Sequence, residues 1–240
     1  MMESGTTAKT MSSALAALFI LAGCHTVEGS GHVVTEERNV EDFDRVSLTG
    51  RGTLHYTQAD DQELLIEAED NIIGKLVSRV EDHKLILRER ENVILDPTKP
   101  IRYHLRAPSL SRVALEGSAR FLSEGFEVPF LSLEFDGSSR GEISGLTADE
   151  IDVEVDGSSR LSMAGVVTKQ VVDVDGSGRY RALDLESARA DLEVNGSAVA
   201  EVNATDELIV DIDGSGHVDY RGNPAISRDI HGSGKLHAVD

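Results

Sequence analysis

VEVDGSSRLSM, Val153 to Met163, sets an Asp-Gly-Ser turn between two runs in which apolar and polar residues alternate. Alternation with a period of two is the pattern of a strand that buries one face. Close copies recur along the C-terminal half: LEGSARF, FDGSSRG, VDGSGRY, VNGSAVA, IDGSGHV and IHGSGKL. Their turn glycines are Gly117, Gly137, Gly157, Gly176, Gly196, Gly214 and Gly232, separated by steps of 20, 20, 19, 20, 18 and 18 residues. A fixed short period signals a stacked repeat, and any local motif inside it has to be weighed against the repeat that generates it.

Around Gly157 the apolar set is Ile151, Val153, Val155, Leu161 and Met163, with Asp152, Glu154, Asp156, Arg160 and Ser162 opposite. The same alternation fits Leu131, Leu133 and Phe135, and again Leu208, Val210 and Ile212. Two strands of about six residues and two turns fill one period. Each period then carries an apolar face that it cannot bury alone, and stacking coil on coil at about 4.8 Å aligns these faces into continuous interior ladders. The expected fold is all-β, a parallel β-solenoid with coils of about 20 residues. Glycine suits the corner because it adopts positive φ without a Cβ clash, and a preceding Asp or Asn can bond the turn backbone. The repeated Ser is expected to tie neighbouring coils. A series of hairpins in a β-sandwich uses the same Asp-Gly turns and stands as the rival arrangement.

The N-terminal half is less regular. VSLTGRGTLHYTQ, Val46 to Gln58, already has strand, Gly turn and strand. Glu63 to Glu89 reads as further strands with turns at Asp70-Asn71 and Asp82-His83, and Asn71–Val77 reads as a short helical or irregular excursion.

Charge and composition narrow the function classes. There are 43 acidic residues against 23 Lys and Arg, a net charge of −20, and no basic block. Such a chain repels phosphate backbones, so nucleic acid is not an expected partner. Trp is absent and aromatics make up 4%, which disfavours sugar-stacking clefts but leaves polar sugar recognition open. The single cysteine, Cys24, rules out an intramolecular disulfide and a cysteine-based zinc site. It follows an apolar run, Ala14 to Leu21, of the size of a signal-peptide hydrophobic region. Leu21-Ala22-Gly23-Cys24 resembles the lipobox of bacterial lipoproteins. The resemblance implies a signal peptide over 1–23, lipidation of Cys24 as the first mature residue, a short tether over 24–37, and attachment to a membrane. His25 after the cysteine implies the outer membrane where one exists.

A second resemblance covers about residues 38 to 240. The order RNVEDFDRVSLTGRGTLHYTQ, LLIEAEDNIIGKLVSRVEDHKLIL, IRYHLRAPSLSRVALEGSA and then serial Gly-Ser-Gly coils is similar to the head GIN domain family, whose members are regarded as autotransporter adhesins. It implies one domain, a right-handed single-stranded β-helix with Gly-Ser-Gly turns and no catalytic set. It also implies a role in adhesion, with a surface glycan or a protein as ligand. EGSAR, DGSSR and NGSAV depart from the family pattern by replacing the second glycine.

Three motifs invite chemical readings. Gly137 to Gly141, GSSRG, matches the Gly-x-Ser-x-Gly nucleophile elbow, which requires a strand-to-helix turn; a strand pattern follows instead. Asp173 to Asp184 spaces its oxygens like an EF-hand loop, which requires flanking helices; the flanks alternate like strands. Stacked turns would also bring Asp136, Asp156 and Asp175 into register, where they form either a weak divalent-cation ladder or solvated acidic corners. Paired carboxylates of a glycosidase cannot be singled out among so many. His217, His231 and His237 show no metal-ligand spacing. The sequence therefore points to a non-enzymatic, lipid-anchored envelope scaffold that needs no cofactor. A periplasmic structural or cation-sensing module and a carbohydrate-active β-helix are the alternatives. The exposed backbone of an end coil would also accept a second copy.

Overall fold

Strand follows strand with little between: 71% of the chain is strand and 2% helix in the computed structural model, which describes residues 25–239. The signal-peptide segment and Cys24 lie outside the described residues. The N-terminal elements are β1 (His25–Glu28), β2 (Val33–Arg38), β3 (Arg45–Gly50), β4 (Thr53–Gln58), β5 (Glu63–Glu69), α1 (Asp70–Ile73), β6 (Leu76–Glu81), β7 (Lys84–Glu89), β8 (Val93–Asp96) and β9 (Arg102–Ala107). The coils follow as β10 (Arg112–Gly117), β11 (Arg120–Ser123), β12 (Phe126–Phe135), β13 (Arg140–Val155), β14 (Arg160–Val174) and β15 (Arg179–Gly196). The last are β16 (Val199–Gly214), β17 (His217–Arg221), β18 (Ala225–Gly232) and β19 (Lys235–Ala238).

Successive coils pair in parallel, giving a solenoid of about six turns. The alternating apolar residues become ladders along its axis. One runs Leu87, Leu48, Leu115, Phe135, Val155, Val174, Val194 and Ile212, each at most 2% exposed. Across the corner a second runs Leu54, Phe121, Gly141, Leu161, Tyr180 and Ala200. Gly141 leaves room for its neighbours: a Cβ there would lie 2.5 Å from the Phe135 ring and 2.6 Å from a Leu161 methyl. The parallel ladders settle the choice against stacked hairpins.

From β13 to β16 each coil is one strand of 15 to 18 residues between Gly-Ser corners, where two strands of about six were expected. The ladder bends without breaking. At the second corner the register shifts between Ile143 and Leu146, beside Gly145, so the pairing resumes after a bulge.

The N-terminal strands close the end of the solenoid. β5 is antiparallel to β9 and β2 to β5 on one face, while the β6–β7 hairpin extends the other. The hairpin turns at Asp82 and His83, both at positive φ, as a type I′ turn requires. Strands β1 and β2 fall in the stretch read above as a tether, and both are hydrogen-bonded to this cap through β8 and β5. Glu69, 1% exposed, fastens the pieces. Its carboxylate accepts the Gly31 N–H at 2.7 Å, the Thr98 N–H at 3.0 Å and the Thr98 hydroxyl at 2.5 Å. Burial opposes its ionisation, but these bonds outweigh burial and hold its pKa below the usual range.

Candidate binding faces

The Gly-Ser corners had raised the question of chemistry, and their geometry answers it. Gly137, Gly157, Gly176, Gly196 and Gly214 all have positive φ and stack directly. A Cβ on Gly157 would lie 2.8 Å from the Gly137 carbonyl oxygen. The following serine donates its backbone N–H to the glycine one coil back, as in Ser138 to Gly117 at 2.8 Å and Ser158 to Gly137 at 2.8 Å. The tie expected of the repeated serine is thus present, and its backbone N–H makes it. The serine N–H at each corner is occupied in this way and is not free for the preceding Asp136, Asp156 or Asp175 carboxylate to cap. The position after the serine points inward and has to be small: Ala119, Ser139, Ser159 and Ala198 are buried there, in the place of Gly178 and Gly216. That is why replacing the second glycine leaves the coils intact.

Neither chemical motif survives as a site. Ser139 is fully buried and its hydroxyl donates to Ser159 Oγ at 3.1 Å; Ser138 leads into strand β13 rather than a helix. The EF-hand-like loop is flanked by strands β14 and β15, and its eighth residue, Tyr180, is core.

The outer faces carry ordered charge that sequence reading missed. On the face before the corner, Glu134, Glu154, Asp173, Glu193, Asp211 and Asp229 stand in one register column. Crowding and burial act together on it. Burial, then the charges of Asp175, Glu193, Asp156 and Asp152, pushes Asp173 up to about 6, and its Oδ1 has no hydrogen-bond partner. Burial raises Asp156 as well, with Asp175 and Asp136 adding repulsion. Asp136, Asp156 and Asp175 are therefore close neighbours, as the repeat implied. Among the described residues, however, no three His, Cys, Asp or Glu side chains are grouped as metal ligands would be.

On the face after the corner, Arg120, Arg140, Arg160 and Arg179 form a second column. His217 and His237 lie further along this face and flank Asp219 Oδ1 at 2.9 and 3.4 Å. The concavities are shallow: one of about 620 Å³ is lined by Gln58, Glu127, Pro129, Thr147 and the exposed Val166. No helix among the described residues is long and apolar enough to cross a membrane.

Residues 42–224, most of the solenoid and much of its cap, match the family described as "Putative auto-transporter adhesin, head GIN domain". The chain belongs to the head GIN domain family. Solved structures share the fold at low identity. A putative adhesin from Bacteroides fragilis has a TM-score of 0.85 at 22% identity, covering 89% of this chain and all of that one. A putative lipid binding protein from Parabacteroides distasonis reaches 0.74 at 24% identity, covering 90% of this chain and all of its own. A putative adhesin from Parabacteroides merdae reaches 0.72 at 18% identity, with 90% and 100% covered. No curated protein matches the chain. The head GIN assignment fits a molecule whose corners serve stacking and whose faces are free.

Proposed function

We propose that this head GIN protein is a lipid-anchored envelope scaffold that acts by binding ligands through its solenoid faces and carries out no chemistry. The observation that supports this most is the division of labour in each coil. Backbone and small residues fill the corners, while charged columns several coils long occupy open faces. Such long repetitive surfaces suit binding to extended partners. The family match supports an address in the cell envelope or at its surface. The anchor is Cys24, with the outer membrane as the membrane reached.

Protease shaving of intact cells, with a periplasmic protein as control, tests the reading. The chain should be lost while the control survives, and Cys24→Ser should release it from the membrane fraction. Survival until the cells are permeabilised would overturn surface binding and favour a periplasmic scaffold.

A further inference from the structure

Four like charges directly opposite one another across parallel strands destabilise a sheet unless something lies between them. Arg120, Arg140, Arg160 and Arg179 are such a set, at successive register positions and all exposed. At the strand spacing the column is roughly 14 Å long. Other arginines at cross-strand positions have acidic partners: Arg112 pairs with Glu134, and Arg181 with Glu201 at 3.7 Å. These four make no ion pair within 4.0 Å among the described residues, although the chain carries 43 acidic groups. The matching acidic column lies around the corner. The four arginines line a groove of about 270 Å³, which Leu122, Ser162, Arg181 and one carboxylate, Glu142, complete.

We propose that this column binds a linear acidic polysaccharide, its carboxylates seated on successive or alternate arginines. The reading rests on the proposal that the faces are binding surfaces and names the ligand class for one of them. Guanidinium forks hold carboxylates with paired hydrogen bonds. The period selects the polymer. Along an extended peptide, side chains on one face recur at about 6.6 Å, which drifts out of register with the strand spacing of about 4.8 Å. A 1→4-linked pyranose advances by roughly one strand spacing per sugar. Contacts to such a ligand are polar, which suits a surface poor in aromatics. The acidic column of a second copy has the same period, but docking it sets two chains of net charge −20 face to face, whereas a single polysaccharide strand lies along the arginines, and charges further than about 8 Å from it are screened.

The test is calorimetric titration of the full-length protein with polygalacturonate, and with amylose as the neutral 1→4-linked control. Binding should be confined to polygalacturonate and weaken as salt rises. Each exposed ion pair is worth a few-fold, so Arg140→Gln with Arg160→Gln should weaken binding by roughly tenfold. Arg79→Gln with Arg90→Gln removes the same charge at the cap and should change it less than twofold. Equal binding by the two double variants would overturn the arginine column while leaving a glycan-binding scaffold standing. No binding of polygalacturonate would overturn the inference outright, with the surface reading still decided by protease shaving. A homo-oligomer in light scattering that the Arg140/Arg160 variant dissolves would assign the column to a second copy.

Discussion

Replacing Gly157 with alanine separates two demands that a corner glycine meets at once. The first is backbone conformation. Gly157 has φ of +69° and Gly31 has φ of +81°, a region that costs a residue with a Cβ about 1–2 kcal/mol. The second is close approach. A Cβ on Gly157 would sit 2.8 Å from the Gly137 carbonyl, whereas one on Gly31 would meet nothing within 4 Å. That carbonyl accepts the Ser158 N–H at 2.8 Å, so relieving the clash means parting two coils. Weakening this bond adds about 1 kcal/mol, and forcing the packed coils apart adds about 1–3 kcal/mol. Gly157→Ala should therefore cost about 3–6 kcal/mol and Gly31→Ala about 1–2 kcal/mol. For a chain of this size each kcal/mol moves Tm by about 2–4 °C. Far-UV circular dichroism melts should place Gly157→Ala roughly 10 °C below the parent and Gly31→Ala only a few degrees below. Equal losses would refute the argument that stacking, rather than φ alone, demands glycine at the corners.

Two further outcomes follow from buried and crowded polar groups. In the folded state Asp173 holds its proton up to about pH 6 against an ordinary 3.8, so the fold gains stability as pH falls through 6 towards 4 and is strained above 6. The full shift corresponds to about 3 kcal/mol, but solvent screening of this partly exposed group reduces it to about 1 kcal/mol. Asp173→Asn should raise Tm by a few degrees at pH 7.5 and leave it unchanged near pH 4; an equal effect at both values would rule out the titration. In the core, the Tyr180 hydroxyl donates to Gln170 Oε1 at 2.9 Å and Gln170 Nε2 to Ser187 Oγ at 2.8 Å. Tyr180→Phe should cost about 1–3 kcal/mol by leaving the buried Gln170 Oε1 unpaired, and adding Gln170→Leu should restore much of that. Additive losses in chemical denaturation would show that the two residues are not coupled.

How much of this was legible in the sequence depends on how local each cause is. The period of the turn glycines and the alternation of Val153, Val155, Leu161 and Met163 report contacts that every coil repeats, so the solenoid could be read directly. The turn at Asp82-His83 was also readable, because turn chemistry is local, whereas the turn read at Asp70-Asn71 is the start of the helix Asp70–Ile73. The antiparallel cap was not. Whether β5 pairs with β9 and β2 depends on long-range closure, and Glu69 looks like one acid among many until Gly31 and Thr98 are seen to converge on it. The corner serines were legible as ties between coils, but the fact that their N–H groups make the tie leaves no trace in side-chain identity. The two charge columns were present in the sequence, since Arg120, Arg140, Arg160 and Arg179 each stand three residues after a turn glycine. Periodic glycine drew attention away from periodic arginine.

That regularity bears on what the molecule does. A residue at the corner is constrained by the coil above and the coil below: Gly157 by the carbonyl beneath it, Ser159 by its burial against Ser139. Such positions have no freedom left for ligand recognition. Outward positions touch their counterparts only through charge and side-chain tips, so they can vary without disturbing the ladders within. Charge of one sign accumulates there with every added coil, and a set of point charges becomes a line. A line of arginines meets its match in a polymer that carries charge at the same pitch, and each coil lengthens the match by one contact. In a solenoid the fold thus supplies the period while the outward residues supply the sign, and specificity arises from the product of the two. An enzyme needs unlike groups converging on a point. This chain arranges like groups along lines, and the proposed binding role rests on that arrangement.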